Sequence, residues 1–123
     1  MRLLLFLVAC GSSPVQMPQP DMAQGASADL AVPVYTWNNG ASAFFTKYCV
    51  PCHHPGGAAQ QQDFSQLSQV MANSADIRCG VATTMQSGCG ATPAPRQFPI
   101  GNGPKPSDLE REAIVAWIDA GLP

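Results

Sequence analysis

The chain has 123 residues, 46% of them hydrophobic, and its eight acidic and six basic side chains give a formal net charge of −2. Only 11% of residues are charged and no basic run or stripe appears, which excludes the usual electrostatic footprint of a nucleic-acid partner. The longest apolar run, Leu3 to Ala9, is far below the roughly 20 residues that a membrane-spanning helix needs.

That run follows Arg2 and ends in Leu7-Val8-Ala9-Cys10. A positive residue, an apolar stretch and a small residue before cysteine resemble a bacterial lipobox, so residues 1–9 read as a lipoprotein signal peptide and Cys10 as the lipidated residue. The segment is short for a secretory signal: it is either a compact one, or the natural start lies upstream of Met1. Several acyl chains on Cys10 would anchor the chain stably to a membrane, where one would not. Residues 10–34 carry Pro14, Pro18, Pro20 and Pro33 among Gln, Ala, Gly and Ser. Such a stretch buries too little surface to offset its ordering entropy and reads as a disordered tether with a reach of roughly 25–30 Å.

The folded domain is expected over residues 35–123. Asn38 and Asn39 precede Ala41-Ser42-Ala43-Phe44-Phe45-Thr46-Lys47-Tyr48, an asparagine cap before an apolar-rich run, which predicts a first helix ending at Cys49. Phe45 and Cys49 stand four apart, so the ring should share the face of that cysteine. Then comes the most specific motif of the chain, Cys49-Val50-Pro51-Cys52-His53. Two thiols at this spacing reach the two vinyl groups on one edge of a porphyrin, and a histidine right after the second supplies a proximal nitrogen to the iron. The expected cofactor is therefore one covalent haem c, held by Cys49 and Cys52 and ligated by His53. Pro51 and Pro55 prevent a regular helix through this loop.

Asp63 to Asn73 reads as a second amphipathic helix. Phe64, Leu67, Val70 and Met71 fall at helical spacing, with Asp63 as the cap and Met71 a core residue rather than a ligand. From Ser74 to Pro106 no periodicity survives and glycines and prolines recur, so a long loop is expected. Its expected pin is a disulfide between Cys79 and Cys89, the two cysteines left after Cys10, Cys49 and Cys52 are assigned. Haem attachment and disulfide formation both belong to an exported, oxidising compartment. The last helix is announced by Ser107-Asp108-Leu109-Glu110, a capping box, and carries Leu109, Ala113, Ile114, Trp117 and Ile118 on one stripe. Gly121 closes it, and Leu122 can fold back on it.

Trp37 through Phe45 to CVPCH resembles the opening helix of small monohaem class I-type cytochrome c domains carried on exported bacterial lipoproteins. Ser107 to Gly121 resembles their closing helix. The resemblance implies an all-α, cytochrome c-like fold of about three short helices around one covalent haem. It also implies His53 as proximal ligand, and transfer of single electrons to a redox partner protein of the cell envelope, on the periplasmic side. The chain departs from that family at the sixth iron ligand: where a Met-Pro often precedes the last helix, this sequence reads Gln97-Phe98-Pro99-Ile100.

Met85, between the paired cysteines, is the remaining candidate for a distal sulfur ligand. Met17 and Met22 lie in the tether, and His54 adjoins the proximal ligand and cannot reach the opposite face. Water, an open position or a partner's side chain are the other possibilities. With a sulfur bound, the expected activity is electron shuttling without catalysis; with an open site, it is small-ligand sensing or weak peroxidase chemistry. Two rivals stand beside these. A thioredoxin-like dithiol would use the CxxC but expects a βαβ context. A zinc or copper site would take all of Cys49, Cys52, His53 and His54 from one short segment, although structural zinc sites draw ligands from two.

Overall fold

The structure is a computed structural model that describes residues 31–123. The signal peptide, Cys10, Met17, Met22 and most of the tether lie outside the described residues. Four helices make up about 37% of the described chain, and its only strand-like features are isolated bridges between Thr36 and the pair Asn39 and Gly40. They are α1 (Ala41–Tyr48), α2 (Leu67–Ala72), α3 (Ser74–Val81) and α4 (Asp108–Asp119). Residues 32–34 are exposed, and Tyr35 is the first side chain packed against the core.

This four-helix domain corrects the expected cytochrome c-like arrangement of about three helices around a long loop. The missed element is α3, inside the segment expected to be structureless. Its buried positions are Ile77, Gly80 and Val81, so its apolar stripe is two branched residues and a glycine, too thin to register as a period. Gly80 costs about 1 kcal/mol of helix propensity relative to alanine. Its bare face is used: a methyl group there would overlap the Phe98 ring. Asn73 stands between α2 and α3, and its backbone leaves the helical region. The two short helices thus bend around one residue that sequence periodicity treats as a single end.

Two caps also differ from expectation. α1 has no side-chain cap; Gly40 precedes it at φ 106°. A Cβ on Gly40 would collide with the Tyr35 ring, so glycine is required both for conformation and for space. Asp63 caps no helix. Its Oδ1 accepts from the Ser65 backbone N–H (3.0 Å) and hydroxyl (2.6 Å), closing a local turn. The helix that follows begins only at Leu67, and Met71 is half exposed on it instead of lying in the core. The local side-chain bond has won over helix extension.

α4 forms as the capping box requires. The Ser107 N–H donates to Glu110 Oε2 (2.8 Å) and the Glu110 N–H donates to Ser107 Oγ (3.3 Å). At its other end Gly121, at φ 92°, donates to the Ile118 carbonyl and Leu122 to the Trp117 carbonyl, both at 3.0 Å, the paired bonds of a Schellman stop. Leu122 packs against the core. Ala113, Ile114 and Trp117 are buried, whereas Leu109 is exposed. Trp117 stacks on Trp37 at 6.1 Å between centroids and meets Phe45 at the same distance, so α1 and α4 join through aromatic rings. Tyr48 adds a polar tie, its hydroxyl donating to the Glu110 carboxylate at 3.0 Å. The Cys79–Cys89 disulfide links α3 to the loop after it.

Candidate functional site

Where α1 ends, the backbone turns sharply. The Cys49 and Val50 N–H groups both donate to the Phe45 carbonyl, and the Cys52 and His53 N–H groups to the Cys49 carbonyl (3.1 and 2.9 Å). Ala59 then donates to the Cys52 carbonyl at 2.9 Å and Phe64 to the His53 carbonyl at 3.1 Å. These bonds fold residues 49–64 into a compact lobe. Gly57 is essential to it, since a Cβ there would strike the Cys52 carbonyl and the His54 ring.

Cys49, Cys52 and His53 all line one cavity of about 360 Å³. Its floor is largely apolar: Phe64 from the lobe, Ile77 and Val81 from α3, and Phe98, Pro99 and Ile100 from the loop before α4. Gln62, Asn73 and Asp76 supply polar atoms at its side. Gln62 Nε2 donates to Asn73 Oδ1 at 2.9 Å, joining the lobe to the α2–α3 bend. Phe45 does not line the cavity; it turns into the core, and Tyr48 and Phe64 present the aromatic faces instead.

His53 stacks on Phe64, ring centroids 4.3 Å apart and 24° from parallel. Its Nδ1 is buried and has no hydrogen-bond partner among the described residues. Burial lowers the pKa of the ring, opposed in part by the Gln62 backbone, which makes no hydrogen bond of ordinary geometry to it. An imidazole stacked on Phe64 at an apolar cleft, with ring-nitrogen capacity that the protein does not use, is free to ligate a metal. The two thiols are free. Burial, and next the neighbouring Cys52, pushes the Cys49 thiol up to about 12, so it stays protonated. A haem c fits this set: two free thiols, a fixed imidazole beside them, and an apolar cleft for a flat macrocycle.

The rival chemistries fit less well. A nucleophilic dithiol needs a lowered thiol pKa, and Cys49 has the reverse. Among the described residues no group of three or more His, Cys, Asp or Glu side chains is arranged to hold a metal ion by itself. His54 turns from such a cluster, its Nδ1 lying 2.8 Å from the Pro55 carbonyl.

Met85 is more than half exposed and does not line the cavity, so the structure does not bring it to His53. Cys79 and Cys89 are paired as expected, the sulfur of Cys89 lying 3.7 Å from Arg78 Nη1. Of the far wall, sequence reasoning pointed only to Phe98-Pro99-Ile100, as the place where the resembled family carries its sixth ligand, and it missed Ile77 and Val81 on α3. Ile77 and Val81 carry no motif, and only the helical glycine at position 80, which admits Phe98, could have pointed to them. No family model, curated protein or solved structure matches this chain.

Proposed function

We propose that this chain is a c-type haem protein of the bacterial cell envelope that passes single electrons to and from a redox partner protein, tethered to a membrane by lipid on Cys10. The observation that carries the reading is that Cys49, Cys52 and His53 line one apolar cavity while both thiols remain free. Haem, when bound, supplies a one-electron couple. The chain supplies the rest. Cys49 and Cys52 would hold the group through thioethers, and His53 would give the proximal nitrogen. Phe64, stacked on His53, fixes the ring plane. Ile77, Val81 and Phe98 keep water from one side of the cleft, which limits the solvent reorganisation that accompanies a change of charge.

The exposure of Met85 favours a second reading within the same class. Among the described residues, the cavity offers no imidazole or thioether besides His53, and apart from the two thiols its polar side chains are Tyr48, Gln62, Asn73 and Asp76. A sixth position left to water would let a small molecule such as carbon monoxide bind the iron.

The test is the visible spectrum of the chain made in a periplasm with haem-attachment machinery. The expected product is red, keeps its haem through denaturing electrophoresis, and loses it when Cys49 and Cys52 are both changed to serine. A low-spin spectrum with an iron–sulfur charge-transfer band supports the electron carrier with a methionine ligand. A high-spin spectrum that shifts with carbon monoxide moves the assignment to the small-ligand reading. A colourless, folded protein refutes both.

A further inference from the structure

We propose that Arg111, buried behind the cavity wall, raises the redox potential of the group held there by keeping in the domain interior a positive charge that no carboxylate contacts. This rests on the haem reading above. Arg111 is 4% exposed on α4, and it is the one charged side chain among the buried described residues. Its Nη1 donates to the Val81 carbonyl (3.0 Å) and the Phe98 carbonyl (2.8 Å), and both of those residues line the cavity. Arg111 does not line it. The guanidinium therefore sits one residue layer behind the wall.

No carboxylate among the described residues lies within ion-pair distance of it. The acids of its own helix are engaged elsewhere. Asp108 pairs with Arg96 through two bonds of 2.5 and 2.9 Å, Glu110 is held by Ser107 and Tyr48, and Glu112 faces Thr83. Two neutral carbonyl dipoles thus solvate a full charge in a medium of low dielectric, where its field carries far. That field disfavours the more positive of two oxidation states on the other side of the wall. A tie between α3 and the Phe98 loop could be made by any long donor; only a cation also exerts this field.

The experiment compares wild type, Arg111→Gln and Arg111→Lys as haem-loaded proteins in a spectroelectrochemical titration. Removing the charge should lower the reduced-to-oxidised ratio at a fixed poise about tenfold, the order of effect a unit charge has across a protein interior. For one electron that is about 59 mV. Arg111→Lys keeps the charge and should stay within about threefold of wild type. The proposal is overturned if Arg111→Gln titrates like wild type, or if Arg111→Lys falls as far as Arg111→Gln, which would make the role purely one of position. Where Arg111→Gln does not accumulate, Arg111→Met takes its place as the uncharged variant: a fall of about tenfold supports the charge and a titration like wild type overturns it. A wild-type chain without covalent haem removes the haem reading itself, and this inference with it, before any variant is compared.

Discussion

Replacing Gly80 by alanine sets two effects of opposite sign against each other. Helix propensity favours alanine by about 1 kcal/mol in a helix interior. Against that, the added methyl overlaps the Phe98 ring. The ring cannot retreat by moving its backbone, because the Phe98 N–H donates to the Gly80 carbonyl (2.9 Å) and its own carbonyl is held by Arg111 (2.8 Å). It must rotate toward the cavity it lines, at an overpacking cost of about 1–3 kcal/mol. Sterics should win by about 1 kcal/mol, a fall in Tm of about 4–8 °C for a domain of this size. The assay is thermal unfolding by circular dichroism of the single variant, of Phe98→Leu and of the double. Phe98→Leu removes the obstruction, so the double variant should be more stable than the sum of the singles by about 1–2 kcal/mol. A Gly80→Ala protein that melts higher than wild type, with no coupling to position 98, would refute the packing argument.

Other outcomes can be stated as directly. Ser107→Ala removes the acceptor of one arm of the capping box and should cost about 1 kcal/mol in urea unfolding. Changing both Cys79 and Cys89 to serine opens a loop with a separation of 10 residues and should cost about 3 kcal/mol by the same assay. Burial pushes the Glu110 carboxyl up, but bonds from the Ser107 backbone and the Tyr48 hydroxyl more than offset it and hold its pKa below the ordinary value. A lowered carboxyl pKa stabilises the fold above the unfolded-state pKa, and that contribution is lost as pH falls through the folded-state value. Stability measured from pH 6 downward should therefore drop in the acid carboxylate range, and Tyr48→Phe should shrink the drop.

Local chemistry was legible in the sequence wherever it repeats or closes within a few residues. The box Ser107–Glu110, the stop at Gly121 and the CVPCH turn are built from neighbours, and each forms where its residues stand. Asp63 shows the limit: the same short polar side chain serves a helix cap or an isolated turn, and Ser65 decided for the turn. α3 was hidden because its stripe includes a glycine whose role depends on Phe98, 18 positions away. Arg111 was hidden for the same reason, since both carbonyls that receive it come from segments 13 and 30 residues distant. The motif half of the candidate site could be read directly and Phe98 to Ile100 only through a resemblance, whereas the α3 part of the wall, Ile77 and Val81, could not be read because nothing local encodes it.

The wall bears on stability as much as on function. Tyr48, Phe64, Ile77 and Val81 belong both to the core and to the cavity lining, so the core of this domain opens onto the cleft. Ile100, 71% exposed, stands at the same cleft and has no core partner of its own. A domain of about 90 residues buries a modest share of its apolar surface, and a cleft cut into its core lowers that share further. A covalently held apolar group would restore that packing and, through its two attachment points, stay with the chain when it unfolds. On the proposed function, the haem-loaded domain should melt well above the haem-free chain. Ile100→Ser should reduce the difference by exposing one edge of the bound group while leaving the haem-free melt nearly unchanged, since Ile100 is already exposed there. A scanning calorimeter checks both. Equal melts for the loaded and haem-free chains would mean that the cleft contributes nothing to the fold and that the apolar lining needs another explanation.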